Sequence, residues 1–160
     1  MKPTNIKVSV IIPVYNQEGF IEACLKSVCE QTLKEIEIIV INGGSSDNSL
    51  SIVNKRATTD SRITVINAEN KGYGAAVNLG IAKATGEYVG IVEADAFIMP
   101  NMYEKLYSLT KTDVDIVKCS FFNVSAENFA VPNELPVDLR LNVAATLEQN
   151  PAVLAAHPSI

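Results

Sequence analysis

The 160-residue sequence contains no tryptophan, one histidine (His157) and three cysteines. With no second ligand at a recognisable spacing, His157 reads either as a structural or incidental residue or as a base or metal ligand. Cys24, Cys29 and Cys119 are odd in number and include no C-x-x-C pair, so neither a disulfide framework nor a zinc knuckle is suggested. Cys24 and Cys29 lie on a helical stretch roughly 140° apart, do not share a face and read as core filler. Reduced thiols of this kind fit a cytoplasmic protein. The sequence also lacks any run of lysine and arginine. Its 13 bases against 18 acids leave a net charge of −5, which argues against nucleic acid as a partner. A phosphorylated ligand must then be held by a local device such as a metal ion or a helix N-terminus. No apolar run reaches the ~18 residues of a membrane span. The stretch 8–14 is broken by Ser9 and Pro13 and lacks a small-residue cleavage site, so the chain is expected to be soluble.

What the chain does have is apolar residues at 48 %, enough for one compact core. They fall in an alternating pattern. "VSVII" (8–12), "IEIIVI" (36–41), "RITVI" (62–66) and "EYVGIVE" (87–93) are strand-like, and "DIVKCSFF" (115–122) reads as a fifth strand. Helical periodicity predicts helices over 18–30, 47–56, 74–84 and 101–109, the last opened by Pro100. Buried strands alternating with helices imply an α/β fold with a mainly parallel sheet covered on both faces. Ligands in such sheets bind at the carboxyl ends of the strands, which would line up the turns "PVYNQE", "NGGSSD" and "EADAF". We expect a core over 1–124. Residues 125–160 carry little periodicity and read as a flap, followed by the start of a region that stops at Ile160 without a closing element.

The residues able to carry chemistry sit in those turns. Alternation along an extended chain places Glu93 and Asp95 on one side, either as solvent-facing acids at a strand end or as ligands of a hard divalent cation. Gly43 and Gly44 permit positive φ and close backbone approach, while Ser45, Ser46 and Asp47 are good helix caps. That turn is either a plain capped helix entrance or a surface for a base or ribose. Asn70, Gly72 and Asn78 surround the entrance to the third helix, where Ala75 and Ala76 allow close packing. Tyr15, with Asn16, follows the first strand, where a ring could stack on a base or simply occupy a loop.

In order and spacing these segments resemble the family 2 glycosyltransferases, enzymes of the GT-A fold that use nucleotide-sugar donors. "VSVIIPVYNQEGFIEACLKSVCEQTL" is similar to the family's first strand, P-x-Y-N turn and first helix. "EIIVINGGSSDNS" is similar to its second strand and glycine–serine turn, and "ENKGYGAAVNLGIAKATGEYVGIVEADAF" to its N-x-G helix and D-x-D strand end. The resemblance implies donor-binding roles for Pro13, Tyr15, Glu18, Asn42, Gly43, Gly44, Asn70, Gly72, Ala76, Asn78, Glu93, Ala94 and Asp95. Glu93 would lie near the ribose or sugar, and Asp95 would ligate Mg2+ or Mn2+. It implies a nucleotide-sugar donor, UDP above all, and a glycan or lipid-linked acceptor. It further implies inversion at the anomeric carbon, a role in polysaccharide assembly, and room for peripheral membrane association of the intact enzyme. Glu93 replaces the commoner Asp, and Gly43, Val77 and Ala96 stand where many members carry an acid, Arg and Asp. No E-D-type base motif precedes Ile160, so the catalytic base is expected beyond it. A binding module without transferase activity is the alternative. A nucleotidyltransferase is disfavoured, because no glycine-rich, Lys/Arg-bearing loop follows the first strand.

Overall fold

A computed structural model describes residues 5–112, 114–119, 121–124 and 130–133, the last two segments through their backbone alone. Four strands form one parallel sheet: β1 (Val8–Val14), β2 (Ile36–Asn42), β3 (Ile63–Asn67) and β4 (Tyr88–Ile91), in the order β3-β2-β1-β4. Three helices connect them: α1 (Ile21–Cys29), α2 (Ser49–Thr59) and α3 (Tyr73–Lys83). The chain divides into two compact units, Met1–Glu104 and Lys105–Ile160, with the boundary inside α4 (Met102–Ser108).

In the first unit every residue of β1 and β2 is buried, which explains their unbroken apolar character: each strand is covered on both faces. Alternation sorts these side chains. Ile11, Ile39 and Ile41 form a cluster packed by Ala76 and Leu79 of α3 together with Ile66, Ala68 and Ala84. Val10, Ile12, Ile38 and Val40, all fully buried, project to the opposite face. Gly80 lets α3 settle on the sheet, because a Cβ there would lie 2.5 Å from Cγ2 of Ile11.

The end of the sheet away from the loops described below is closed by a buried carboxylate. Glu37 of β2 accepts from the Ser9 hydroxyl at 2.7 Å and from the Thr85 amide and hydroxyl at 2.7 and 2.8 Å. The Gly86 amide donates in turn to Ser9 Oγ at 2.8 Å. The α3–β4 turn is thereby fixed to both central strands, and β4 enters the sheet with Val8 opposite Tyr88.

Several boundaries differ from expectation for local reasons. Helix α1 starts at Ile21 rather than Glu18, since the amides of Phe20 and Ile21 both donate to the Gln17 carbonyl and make a turn first. Helix α2 starts at Ser49 rather than Asp47. The expected fifth strand over 115–122 is corrected: Lys118 and Ser120 interrupt the apolar run, and the strand is β5 (Phe121–Val124). It pairs antiparallel with β6 (Ala130–Asn133) in a separate two-stranded sheet of the second unit and does not extend the parallel one. The rest of the expected flap and His157 lie outside the described residues. Among the described residues no helix is long and apolar enough to cross a membrane.

Replacing Glu37 by alanine strips the acceptor from three donors at once. The expected loss is about 1–3 kcal/mol of unfolding free energy, measured by urea denaturation, with Glu37→Gln, which keeps an acceptor oxygen, milder than Glu37→Ala.

Candidate functional site

Parallel strands deliver all their carboxyl ends to one edge, and the register levels three of them: Val14 lies opposite Asn42, and Asn42 opposite Asn67. The ladder continues one step into the loops, with the Gly43 amide donating to the Val14 carbonyl and the Ala68 amide to the Asn42 carbonyl, both at 2.9 Å. Strand β4 stops lower, at Ile91 opposite Ile11. Residues 92–96 therefore have room to rise and turn.

That turn changes the reason the two acids meet. Glu93 and Asp95 are not alternate residues of an extended strand; the Ala96 amide donates to the Glu93 carbonyl at 3.0 Å and closes a β-turn over 93–96. Ala94 is buried beneath it while Asp95 is exposed. The Cys24 thiol, itself buried, donates to the Glu93 carbonyl at 3.4 Å and ties the turn to α1. Burial foremost, then the nearby charges of Asp95 and Glu93, pushes the Cys24 thiol up to about 12.

The first two loops are joined by side chains. Asn16 takes a left-handed conformation (φ 52°), which asparagine tolerates, and its Oδ1 accepts from the Ser46 amide at 2.8 Å. The amides of Asn16 and Gln17 donate to Ser45 Oγ and Ser49 Oγ at 3.1 and 2.7 Å. The Glu18 amide donates to Asp47 Oδ2 at 3.0 Å, and Glu18 Oε2 accepts from the Asn48 amide and side chain at 2.9 and 2.8 Å. In the third loop the Gly72 amide donates to Asn70 Oδ1 at 3.1 Å, and Gly72 adopts φ 88° as the chain enters α3. The Tyr73 hydroxyl at that entrance donates to Glu93 Oε1 at 2.6 Å. Burial first, then this bond and the charge of Glu93, raises the Tyr73 phenol well above its ordinary value, so it stays a donor at neutral pH.

These loops enclose a cavity of about 720 Å³ at the carboxyl edge of the sheet. Of the expected residues, Pro13, Tyr15, Gly43, Asn70, Gly72, Ala76, Glu93, Ala94 and Asp95 line it together. Glu18, Asn42, Gly44 and Asn78 do not reach its wall. Glu18 secures the start of α2 through Asn48. Asn42 is buried, with its Nδ2 donating to Asn67 and its Oδ1 accepting from the Ser45 amide. Gly44 supplies the positive φ of the second turn (73°), and Asn78 is exposed on α3. Gly43 does not take positive φ, and a Cβ there would make only ordinary contacts with Val14, Asn70 and Tyr15. It leaves open floor between Tyr15 and Asn70.

Gln17, Glu69, Lys71 and Tyr73 also line the cavity and were not picked out by the sequence. For Tyr73 a signal existed: an aromatic residue between two glycines at a helix entrance. Among the described residues that line the cavity, three carboxylates, Glu69, Glu93 and Asp95, face one ammonium, Lys71, whose exposed pair with Glu69 spans 3.3 Å. A diphosphate alone would meet net repulsion here, which a divalent cation would offset. Among the described residues no three acidic, histidine or cysteine side chains form a ready-made cage. A donor set of one or two carboxylates fits Mg2+ or Mn2+, which complete their shell with water and phosphate oxygens, so the residues present suit such an ion.

Residues 9–153 match the model of glycosyl transferase family 2. The chain belongs to that family. It is 39 % identical over 144 residues to the uncharacterized glycosyltransferase EpsJ of Bacillus subtilis, covering 89 % of this chain and 42 % of EpsJ. Among solved structures, TarS of S. aureus in complex with UDP superposes with a TM-score of 0.62 at 30 % identity, over 66 % of this chain and 32 % of that one. A mannosyltransferase of Pyrobaculum calidifontis in complex with GDP-Man and Mn2+ also gives 0.62, at 29 % identity over 71 % of this chain and 35 % of that one. The sheet and its flanking helices are thus those of a GT-A glycosyltransferase, and the chain spans well under half the length of these relatives.

The thiol at Cys24 is structural, and its ionisation opposes folding. Its raised pKa favours the folded state below about pH 9, and that contribution is lost as pH climbs toward about 12. Burial raises the Cys119 thiol too, but Cys119 is exposed where Cys24 is buried, so iodoacetamide at pH 8 should label Cys119 ahead of Cys24, as peptide mass spectrometry would show.

Proposed function

We propose that this chain binds the donor of an inverting glycosyltransferase, a nucleotide sugar with UDP as its nucleotide. In the whole protein the sugar then passes to a hydroxyl of a glycan or lipid-linked acceptor. The observation that carries the reading is the convergence of the Glu93–Ala96 turn with Tyr15, Gly43, Asn70 and Tyr73 on one cavity at the carboxyl edge of the parallel sheet. The UDP complex of TarS and the GDP-Man and Mn2+ complex of the mannosyltransferase support it, since those proteins share the fold.

In this reading the exposed ring of Tyr15 stacks on the base over the open floor at Gly43, and Glu93 accepts from a ribose or sugar hydroxyl. Asp95 would hold Mg2+ or Mn2+, an ion that when bound would supply Lewis-acid neutralisation of the diphosphate charge. The acceptor oxygen forms its bond to the anomeric carbon as the bond to the diphosphate breaks, the electron pair departing on the phosphate oxygen. The acceptor proton goes to a carboxylate base that we assign to the acceptor side of the protein. The setting we propose is cytoplasmic, in polysaccharide assembly at the membrane surface.

Titration calorimetry with UDP, in the presence and absence of Mn2+, tests the reading. Mn2+-dependent binding is expected, weakened about ten- to a hundredfold in Asp95→Ala, the range for one contact to a charged group. If neither UDP nor another pyrimidine diphosphate binds with metal dependence, the proposal fails. An unchanged affinity in Asp95→Ala would remove Asp95 from the metal's shell.

A further inference from the structure

The cavity contains two acids with different degrees of restraint. Among the described residues no hydrogen bond or ion pair reaches Asp95, whereas Glu93 is held three times, at its carbonyl by the Ala96 amide and the Cys24 thiol and at Oε1 by Tyr73. Among the described residues the Tyr73 bond is the one side-chain hydrogen bond that bridges these two loops. It joins the first residue of α3 to the turn that follows β4, 20 residues on. At 2.6 Å to an ionised acceptor it is a short, charge-assisted bond. A carboxylate has about four acceptor sites. The phenol takes one of them and fixes the rotation of the group, and among the described residues nothing else bonds to the second oxygen.

We propose that Tyr73 is a positioning residue for donor recognition. Its hydroxyl clamps Glu93 Oε1 so that the other carboxylate oxygen is preset to accept from a hydroxyl of the nucleotide's ribose. The inference rests on the donor-site reading above and adds to it a residue and a division of roles. Tyr73 acts through Glu93 and need not touch the ligand. The entrance to α3 supports this role: the Asn70–Gly72 hydrogen bond and the positive φ of Gly72 set the backbone immediately before Tyr73. The tyrosine is 47 % exposed, so removal of its hydroxyl leaves the core intact.

The clamp predicts an effect on hydroxyl discrimination and not on binding as a whole. Calorimetry in Mn2+ would compare UDP with 2′,3′-dideoxyuridine diphosphate on the wild type, Tyr73→Phe, Glu93→Ala and the double variant. The wild type should prefer UDP by roughly tenfold, the scale of one hydrogen bond to a charged group. Tyr73→Phe should cut that preference to about two- to threefold, a partial loss of the same bond, while leaving dideoxy binding unchanged. In the Glu93→Ala background the tyrosine change should have no further effect on the ratio. If Tyr73→Phe weakens both nucleotides equally, the residue is merely structural and the clamp is overturned; an unchanged ratio overturns it too. If the ratio still falls without Glu93, Tyr73 contacts the ligand itself, which also overturns it. In each of these outcomes UDP still binds and the donor site stands. Absence of nucleotide binding by the wild type would remove both.

Discussion

The cavity depends on the pairing of β1 with strands on both of its sides. Its seven residues are all buried, it matches β2 residue for residue from Val8 to Val14, and it receives β4 on the other edge from Val8 to Ile11. Because β4 pairs with only the first part of β1, the chain leaves the sheet early on that side and late on the other. The step so produced is the wall of the cavity. A one-residue slip of either pairing would invert the faces of the strand, burying what now projects and moving the acid turn relative to Tyr15. The Glu37–Ser9–Thr85 cluster protects that register from the opposite end of the sheet, since Thr85 and Gly86 can meet their partners in only one alignment.

Above this scaffold the loops hold one another. Asn16, Glu18 and Asp47 bond the first and second loops, Asn42 bonds Asn67 beneath the second and third, and Tyr73 bonds the third to the fourth. Most of these bonds run from a side chain to a backbone amide of another loop. Such bonds satisfy amides that a helix entrance or a strand end leaves unpaired, and the same bonds set the loop positions. The polar residues of the turns thus divide into those that build the rim and those that face its interior. Glu18 and Asn42 belong to the first group by their contacts, and Glu93 and Asp95 to the second.

That division marks the limit of what the sequence makes legible. Strand and helix order follows from periodicity because each element is specified by residues a few positions apart, so 36–41 and 62–66 coincide with β2 and β3 to within a residue or so. The edge on which the turns gather follows from parallel topology. Which turn residue faces inward does not, because it depends on bonds between positions 29 to 32 apart in sequence for the first two loops. The meeting of Glu93 and Asp95 was foreseen on the wrong geometry: the period of a strand brings alternate residues together, and so does a tight turn, and only the Ala96 amide tells them apart. The fifth strand failed for a related reason, since composition reports that a segment is strand-like but not which strand it will find.

Glutamate at 93 has a physical explanation in its neighbours. The backbone of the turn is fixed by the Ala96 amide and the Cys24 thiol, so side-chain length alone decides what its carboxylate can reach. The phenol of Tyr73 occupies a fixed place at the start of α3, and the glutamate spans the gap at 2.6 Å; an aspartate, one methylene shorter on the same backbone, would fall short of that hydroxyl. Conversely, Asp95 sits at an exposed turn position where, among the described residues, no group bonds to it, the condition a hard cation needs in order to draw water and ligand oxygens around a single carboxylate. The longer acid is therefore the one held by protein and the shorter one the one left open. The identity of each follows from what lies within reach of the turn, so Glu93 and Tyr73 are best understood as a matched pair rather than as two separate departures from a common pattern.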